Sequence, residues 1–148
     1  MSAKELTSML NELLEKNYDT EKVYKTAADD VKHEGLKSFF KEKAMQRYDF
    51  GHELKAEIRN FGEEPDKGSS MKGDTHRAWM NLKTALSSDK EEAVLEEAIR
   101  AEKAAVEDYN KMIKADGFPP TTANLLIKQR NAIERSLAEV RELEEKFD

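Results

Sequence analysis

The stretch 62–88, GEEPDKGSSMKGDTHRAWMNLKTALSS, decides the fold, because it is the one long connection in a chain otherwise built of long helical runs. Its first half is turn-forming, with Gly62, Pro65, Gly68 and Gly73. Its second half, Thr75 to Leu86, places Trp79, Leu82 and Leu86 on one side of a short helix. On either side the other punctuation is sparse: the chain has 6 Gly and 3 Pro, and outside this stretch they mark breaks only at Gly35 and at Gly117, Pro119 and Pro120. Four long helices are expected, over about 4–32, 34–61, 89–115 and 121–146, with a fifth, short one over about 75–86. The first two are joined by a turn of a few residues, as are the last two, so each pair forms an antiparallel hairpin. A connection as long as 62–88 returns the chain along the bundle, giving the order up, down, down, up. All 148 residues are read as one all-α domain.

The seams follow from spacing. The first helix presents Leu6, Leu10, Leu13, Asn17, Tyr24 and Val31. The second presents Phe40, Ala44, Arg47, Gly51, Leu54, Ile58 and Phe61. The third presents Leu95, Ala98, Glu102, Ala105, Tyr109 and Met112, and the fourth Leu126, Ile133, Leu137, Val140 and Phe147. Capping boxes are expected at Ser2–Glu5 and Ser88–Glu91. The halves look alike: a shift of about 85 residues lays Asn17 on Glu102 and Tyr24 on Tyr109, and one of about 86 lays Leu54 on Val140. Internal two-fold pseudosymmetry is the expectation.

Composition excludes several functions. Lys plus Arg number 25 against 31 Asp plus Glu, for a net charge of -6, the wrong balance for a binder of phosphate backbones. No run is long and apolar enough to span a membrane, and the N-terminus lacks the plan of a signal peptide, so a cytoplasmic protein with neither nucleic acid nor membrane as partner is expected. With Cys 0, thiolate chemistry, disulfides and iron–sulfur clusters are excluded. Nucleophile elbows and phosphate loops are absent.

The stretches LNELLEKNYDTEKVYKTAADDV (10–31), LKSFFKEKAMQRYDFGHEL (36–54), HRAWMNLKTAL (76–86) and LEEAIRAEKAAVEDYNKMI (95–113) resemble the ferritin and rubrerythrin superfamily. The resemblance is greatest to a family of uncharacterised bacterial four-helix-bundle proteins, a domain of unknown function. It implies a ferritin-like bundle and a place in stress physiology. In metal-bearing members, two helices each give a Glu and the other two a Glu-x-x-His. Laid on this chain, the single Glu positions fall at Asn17 and Glu102, and the pairs at Arg47 with Phe50 and at Ile133 with Ser136. One ligand of six survives, and a cation stands in the site; a degenerate di-iron site is expected, with no metal and no catalytic residue.

The residues themselves point the same way. Arg47 and Glu102 fall on core seams, where a lone ion costs several kcal/mol, so they are expected to pair, with Asn17 and Glu21 adding hydrogen bonds. Asn17, Arg47, Glu102 and Ser136 form the expected buried polar layer. Tyr24 and Tyr109 are expected to place their hydroxyls on a carboxylate across the bundle. Gly51, the one Gly inside a helix, is expected at a close helix crossing. Weak metal candidates are Glu21, Glu102 and Glu134 as a shifted site, and Asp49 with His52 one turn apart. Trp79, Met80 and Arg77 are a candidate interface, and a homodimer is the default assembly. The competing reading is an iron-binding or oxidase-type carboxylate protein with a rearranged site.

Overall fold

The computed structural model describes residues 1–66, 74–88 and 90–147. Its helices are α1 (Ala3–Asp30), α2 (Glu34–Asn60), α3 (Asp74–Ser87), α4 (Glu91–Lys114) and α5 (Pro120–Glu145). Gly68, Gly73 and Asp89 lie outside the described residues.

Helix ends follow local chemistry. Ser2 and Glu5 form the expected capping box on α1. The box expected at Ser88 does not form: the cap of α4 falls two residues later, at Lys90, with no side-chain hydrogen bond. Ser88 instead closes α3, its hydroxyl donating to the Ala85 carbonyl at 2.6 Å. The cap of α2 is a residue the sequence did not signal: His33 Nδ1 accepts from the backbone N–H of Gly35 at 3.0 Å. At the far end of α2, Gly62 sits at φ 83 and the N–H groups of Gly62 and Glu63 donate to the carbonyls of Arg59 and Ile58. This two-bond closure needs the left-handed conformation that Gly adopts freely. Pro120 starts α5 where its missing N–H costs nothing.

Contacts between named residues fix the topology. Asn17 meets Tyr109, and Tyr24 meets Glu102, so α1 and α4 are antiparallel. Glu57 meets Thr122 and Lys43 meets Glu139, so α2 and α5 are antiparallel. Tyr24 also packs on Phe40, and Gly51 on Leu14 and Tyr18, making α1 and α2 antiparallel as well. The order is therefore up, down, down, up, the ferritin-like arrangement.

The same contacts carry the internal two-fold. A shift of 85 turns the Asn17–Tyr109 contact into Glu102–Tyr24, and a shift of 86 turns Lys43–Glu139 into Gln129–Glu53; all four are made. Hairpin α1–α2 and hairpin α4–α5 thus face each other as near-copies.

The core lies in two clusters. One gathers Val23, Ala27, Phe40, Leu95 and Val140, and α3 closes it with Leu82, Ala85 and the half-buried Trp79. The other gathers Leu10, Leu14, Leu54, Tyr109, Leu126 and Ile133. Most of the expected seam is buried, while Phe61, Ala105, Leu137 and Phe147 are only half-buried. The seam reading omitted Leu14, Leu36 and Gln129, all 0 % exposed.

Gly51 occupies the expected close crossing. A Cβ there would stand 3.2 Å from Tyr18 Cε1 and 3.6 Å from Leu14 Cδ1. Gly51→Leu is expected to destabilise the fold by about 1–3 kcal/mol through overpacking. Gly51→Ala is expected near neutral in urea melts, since its gain of about 1 kcal/mol in helix propensity offsets the squeezed Tyr18 ring.

Candidate functional site: a buried polar layer between the two cores

Where the two apolar clusters meet, all four bundle helices contribute polar side chains. Arg47 Nη2 donates to Glu102 Oε2 at 2.9 Å, and the Tyr24 hydroxyl donates to Glu102 Oε1 at 2.6 Å. Both oxygens of the carboxylate are engaged, and Glu102 is 0 % exposed and Arg47 2 %. Arg47 Nη1 faces Asn17 Oδ1 at 3.5 Å. Asn17 in turn donates to the Leu13 carbonyl and to the Tyr109 hydroxyl. The Tyr109 hydroxyl donates to Gln129 Oε1 at 2.5 Å. Gln129 then donates to the Phe50 carbonyl and to Glu53. The chain of bonds runs from α4 through α2 and α1, back to α4 and across to α5.

Burial and charge set the protonation of these groups. Burial drives the Tyr24 phenol well above its ordinary value, the Glu102 charge adds to this, and Arg47 partly offsets it. Burial likewise raises Tyr109, against the opposing pull of Arg47. Burial would lower Arg47, but the Glu102 charge and its hydrogen bond, together with the Tyr24 and Tyr109 phenols, outweigh it and hold the guanidinium above its usual value. Arg47 is therefore a permanent cation at the centre of the bundle. Its Nε makes no hydrogen bond among the described residues, a cost of about 1–3 kcal/mol.

Other expected residues fall elsewhere. Ser136 is buried but bonds the Ala132 carbonyl and Gln46, not the ion pair. Glu21 does not join Arg47: it pairs with Lys25 at 2.7 Å and faces the α1–α2 groove. Glu134 is exposed and lies 3.7 Å from Arg130, so Glu21, Glu102 and Glu134 do not converge. Asp49 and His52 are exposed, and the His52 ring stands edge-on to Tyr48 at 4.4 Å. Among the described residues no three of His, Asp and Glu gather as a metal-binding group. Tyr109 takes an amide, Gln129, where a carboxylate was expected. Trp79 turns to the core, leaving Met80 and Arg77 exposed.

Sequence reasoning missed Gln129 and Lys43. Gln129 was visible: Leu126, Gln129, Ile133, Ser136 and Val140 step three and four throughout. Lys43, 3 % exposed, pairs with Glu42 and Glu139 and lies over the Phe39 ring; one residue off the seam, it gave no signal.

Residues 5–115 match the family described as Domain of unknown function (DUF2383). The chain belongs to this family. No curated protein matches it in sequence. Among solved structures, a Dps1 mutant of Mycobacterium smegmatis matches at a TM-score of 0.74 and 18% identity, over 95% of this chain and 97% of that one. The tetragonal form of Mycobacterium smegmatis Dps matches at 0.73 and 18%, over 94% and 85%. At that identity the likeness is one of fold, and it places this DUF2383 chain among ferritin-like bundles.

The metal centre implied by the superfamily does not fit these side chains. A di-metal site needs several free carboxylate and imidazole donors around a common point. Here the one buried carboxylate of the layer is neutralised by a guanidinium and bound by a phenol, and the cation would repel metal ions.

Proposed function

We propose that this protein is a non-catalytic ferritin-like bundle, a structural or interaction module whose polar layer stands at a degenerate di-iron site. The observation that supports this reading is the Arg47–Glu102 ion pair, sealed between the two core clusters with Tyr24 on its free oxygen. Such a layer holds four helices in one register, because any slip leaves a charge unpaired in an apolar interior. It offers no open coordination position and no residue poised to exchange a proton with a substrate.

The setting is proposed to be the bacterial cytoplasm, with the stress role that the superfamily resemblance implies and a second copy of the chain as partner. A net charge of -6 opposes binding to nucleic acid, and among the described residues no helix is long and apolar enough to cross a membrane.

The test is metal content and Fe(II) oxidation, measured on protein purified without chelator or affinity tag and then soaked in excess Fe(II) under air. The expected result is no stoichiometric iron and oxidation no faster than the protein-free control. Stoichiometric iron that disappears in Glu102→Gln would overturn the reading in favour of an oxidase-type carboxylate site.

A further inference from the structure

The turn between α1 and α2 is fastened by one titratable side chain. Gly35 and Leu36 stand in the first turn of α2, where backbone N–H groups have no acceptor inside the helix. His33 Nδ1 accepts from both, at 3.0 Å from Gly35 and 3.4 Å from Leu36. A ring nitrogen that accepts carries its lone pair, so the imidazole is neutral, with its proton on Nε2. The seat is shaped for the ring: a Cβ on Gly35 would stand 2.9 Å from His33 Cε1 and 3.1 Å from Nδ1. The same imidazole meets the Phe147 ring edge-on, with centroids 5.0 Å apart. Phe147, in the turn after α5, is half-buried against the first core cluster. It also walls a cleft of about 490 Å³ at the start of α4. One imidazole thus joins the start of α2 to the chain beyond α5.

The fold does not require a titratable group here. A shift of 86 lays His33 on Pro119, the cap of α5, which makes no side-chain hydrogen bond. The near-copy hairpin is therefore closed at the same place without one. Ser, Thr and Asn cap helices well and do not titrate. What His adds in this role is a response to protons.

We infer that His33 is an acid-released latch: its neutral ring holds the first turn of α2 and the Phe147 ring together, and a proton on the ring releases both. A protonated Nδ1 is a donor, and in its seat it would face two N–H donors and the positive end of the α2 dipole. The ring then swings into water, which is open to it because His33 is exposed. The imidazole's partners among the described residues are the two amides and the Phe147 ring, with no carboxylate to hold the protonated ring in place. Charges of both signs surround it. Lys32 and Glu34 flank His33 in sequence, and Lys37 of α2 is engaged by the Ala28 carbonyl of α1 at 2.8 Å. Asp30 of α1 shares a cleft with Lys32 and with Lys90 and Glu91 at the start of α4. Glu142 of α5 and Lys146 share one with Gly35, and Glu92 and Glu96 of α4 share one with Phe147.

The test is amide exchange by NMR on the full-length chain at pH 7.5 and 5.5, corrected for the intrinsic pH dependence of exchange. Carboxylates and ammonium groups ordinarily titrate outside this window, and the other imidazoles stand elsewhere, His52 beside Tyr48 and His76 on α3. Below the ordinary imidazole value of about 6.5, a proton taken up only by the released ring raises the released population about tenfold per pH unit. Opening at Gly35 and Leu36 is therefore expected to be about tenfold greater at pH 5.5, with the Phe147 ring resonances shifting over the same range. The Lys37 amide, bonded to the His33 carbonyl at 2.9 Å, is expected to keep its protection. His33→Asn supplies a cap that does not titrate and is expected to protect Gly35 and Leu36 equally at the two pH values. Gly35→Ala crowds the ring out of its seat and is expected to leave the Leu36 amide open at both. Equal protection of Gly35 and Leu36 at the two pH values in the wild type would overturn the inference. So would an unchanged pH response in His33→Asn, or a Phe147 ring that stays in place while the amides open.

Discussion

Arg47→Met is expected to lower the unfolding free energy by about 3–5 kcal/mol in urea melts, because it leaves the Glu102 carboxylate buried with no counter-charge. Glu102→Leu is expected to cost a similar amount, stranding a guanidinium that is 2 % exposed. The double change Arg47→Met, Glu102→Leu is expected to recover most of either loss. Met and Leu fill much of the space with apolar atoms, and the double variant also removes the desolvation cost of both ions and of the unbonded Arg47 Nε. A residual loss is expected from the Tyr24 hydroxyl, which loses its acceptor, and Tyr24→Phe added to the double variant should reduce it. Additive losses for Arg47→Met and Glu102→Leu would mean that the two side chains act independently, and would remove the ion pair as the element that sets the register.

The recovery expected of the double variant also bears on what the pair is for. An apolar layer of Met and Leu would bury as much surface, and by the general behaviour of buried ion pairs it would be as stable. What it would lack is discrimination. In a bundle whose two hairpins are near-copies, an apolar seam can settle in a register shifted by one turn at little cost. A shifted Arg47 would meet Ala98 or Ala105 in place of Glu102, and that register is penalised by the full cost of an unpaired ion. Hydrogen exchange on the double variant provides the measurement: faster exchange at α2 and α4 amides, at unchanged global stability, is the expected signature of lost register control.

The fold was legible because its determinants are local and long. Stripes of three and four run through each long helix, and the length of the 62–88 connection alone separates the up, down, down, up order from a meander. The ion pair was legible for a related reason: Arg47 and Glu102 interrupt apolar seams, and opposite charges at matching depth have few other partners. The partners of the tyrosines were not legible. Whether Tyr109 meets Glu53 or Gln129 depends on how α5 is rotated against α2, which no seam reading resolves to better than a residue. Glu21 went astray for the opposite reason. A carboxylate at the edge of a seam chooses between the core and a lysine one turn away, and Lys25, its side chain 64 % exposed, offers Glu21 a charge partner that itself stays in water. The missing box at Ser88 shows the limit of short motifs: the hydroxyl donates to the Ala85 carbonyl behind it and accepts only a long bond, 3.4 Å, from the Lys90 amide ahead, so α4 begins after Lys90 instead.

Stability is expected to fall steeply above about pH 10, and two phenols should account for most of the slope. Tyr24 and Tyr109 are each 1 % exposed, and burial raises both above the ordinary value of 10.0. A group whose folded value is raised contributes stability that is present in full below its unfolded value and is lost as pH climbs toward the folded one. In that window the unfolded chain releases phenolic protons that the folded chain retains. Each phenol then removes about 1.4 kcal/mol per pH unit, so the pair removes about 5 kcal/mol between pH 10 and 12. That is comparable to the whole stability of a marginal domain. Urea melts at pH 8, 10 and 11 are expected to trace this decline, and tyrosinate absorbance from these two side chains should rise only as helix content falls. Tyr24→Phe, Tyr109→Phe is expected to be less stable at pH 8, having lost bonds to Glu102, Asn17 and Gln129, yet to lose stability with pH far more slowly. The two curves should therefore converge as pH rises. Parallel curves would show that the phenols ionise freely in the folded protein, and that the layer they close is open to water.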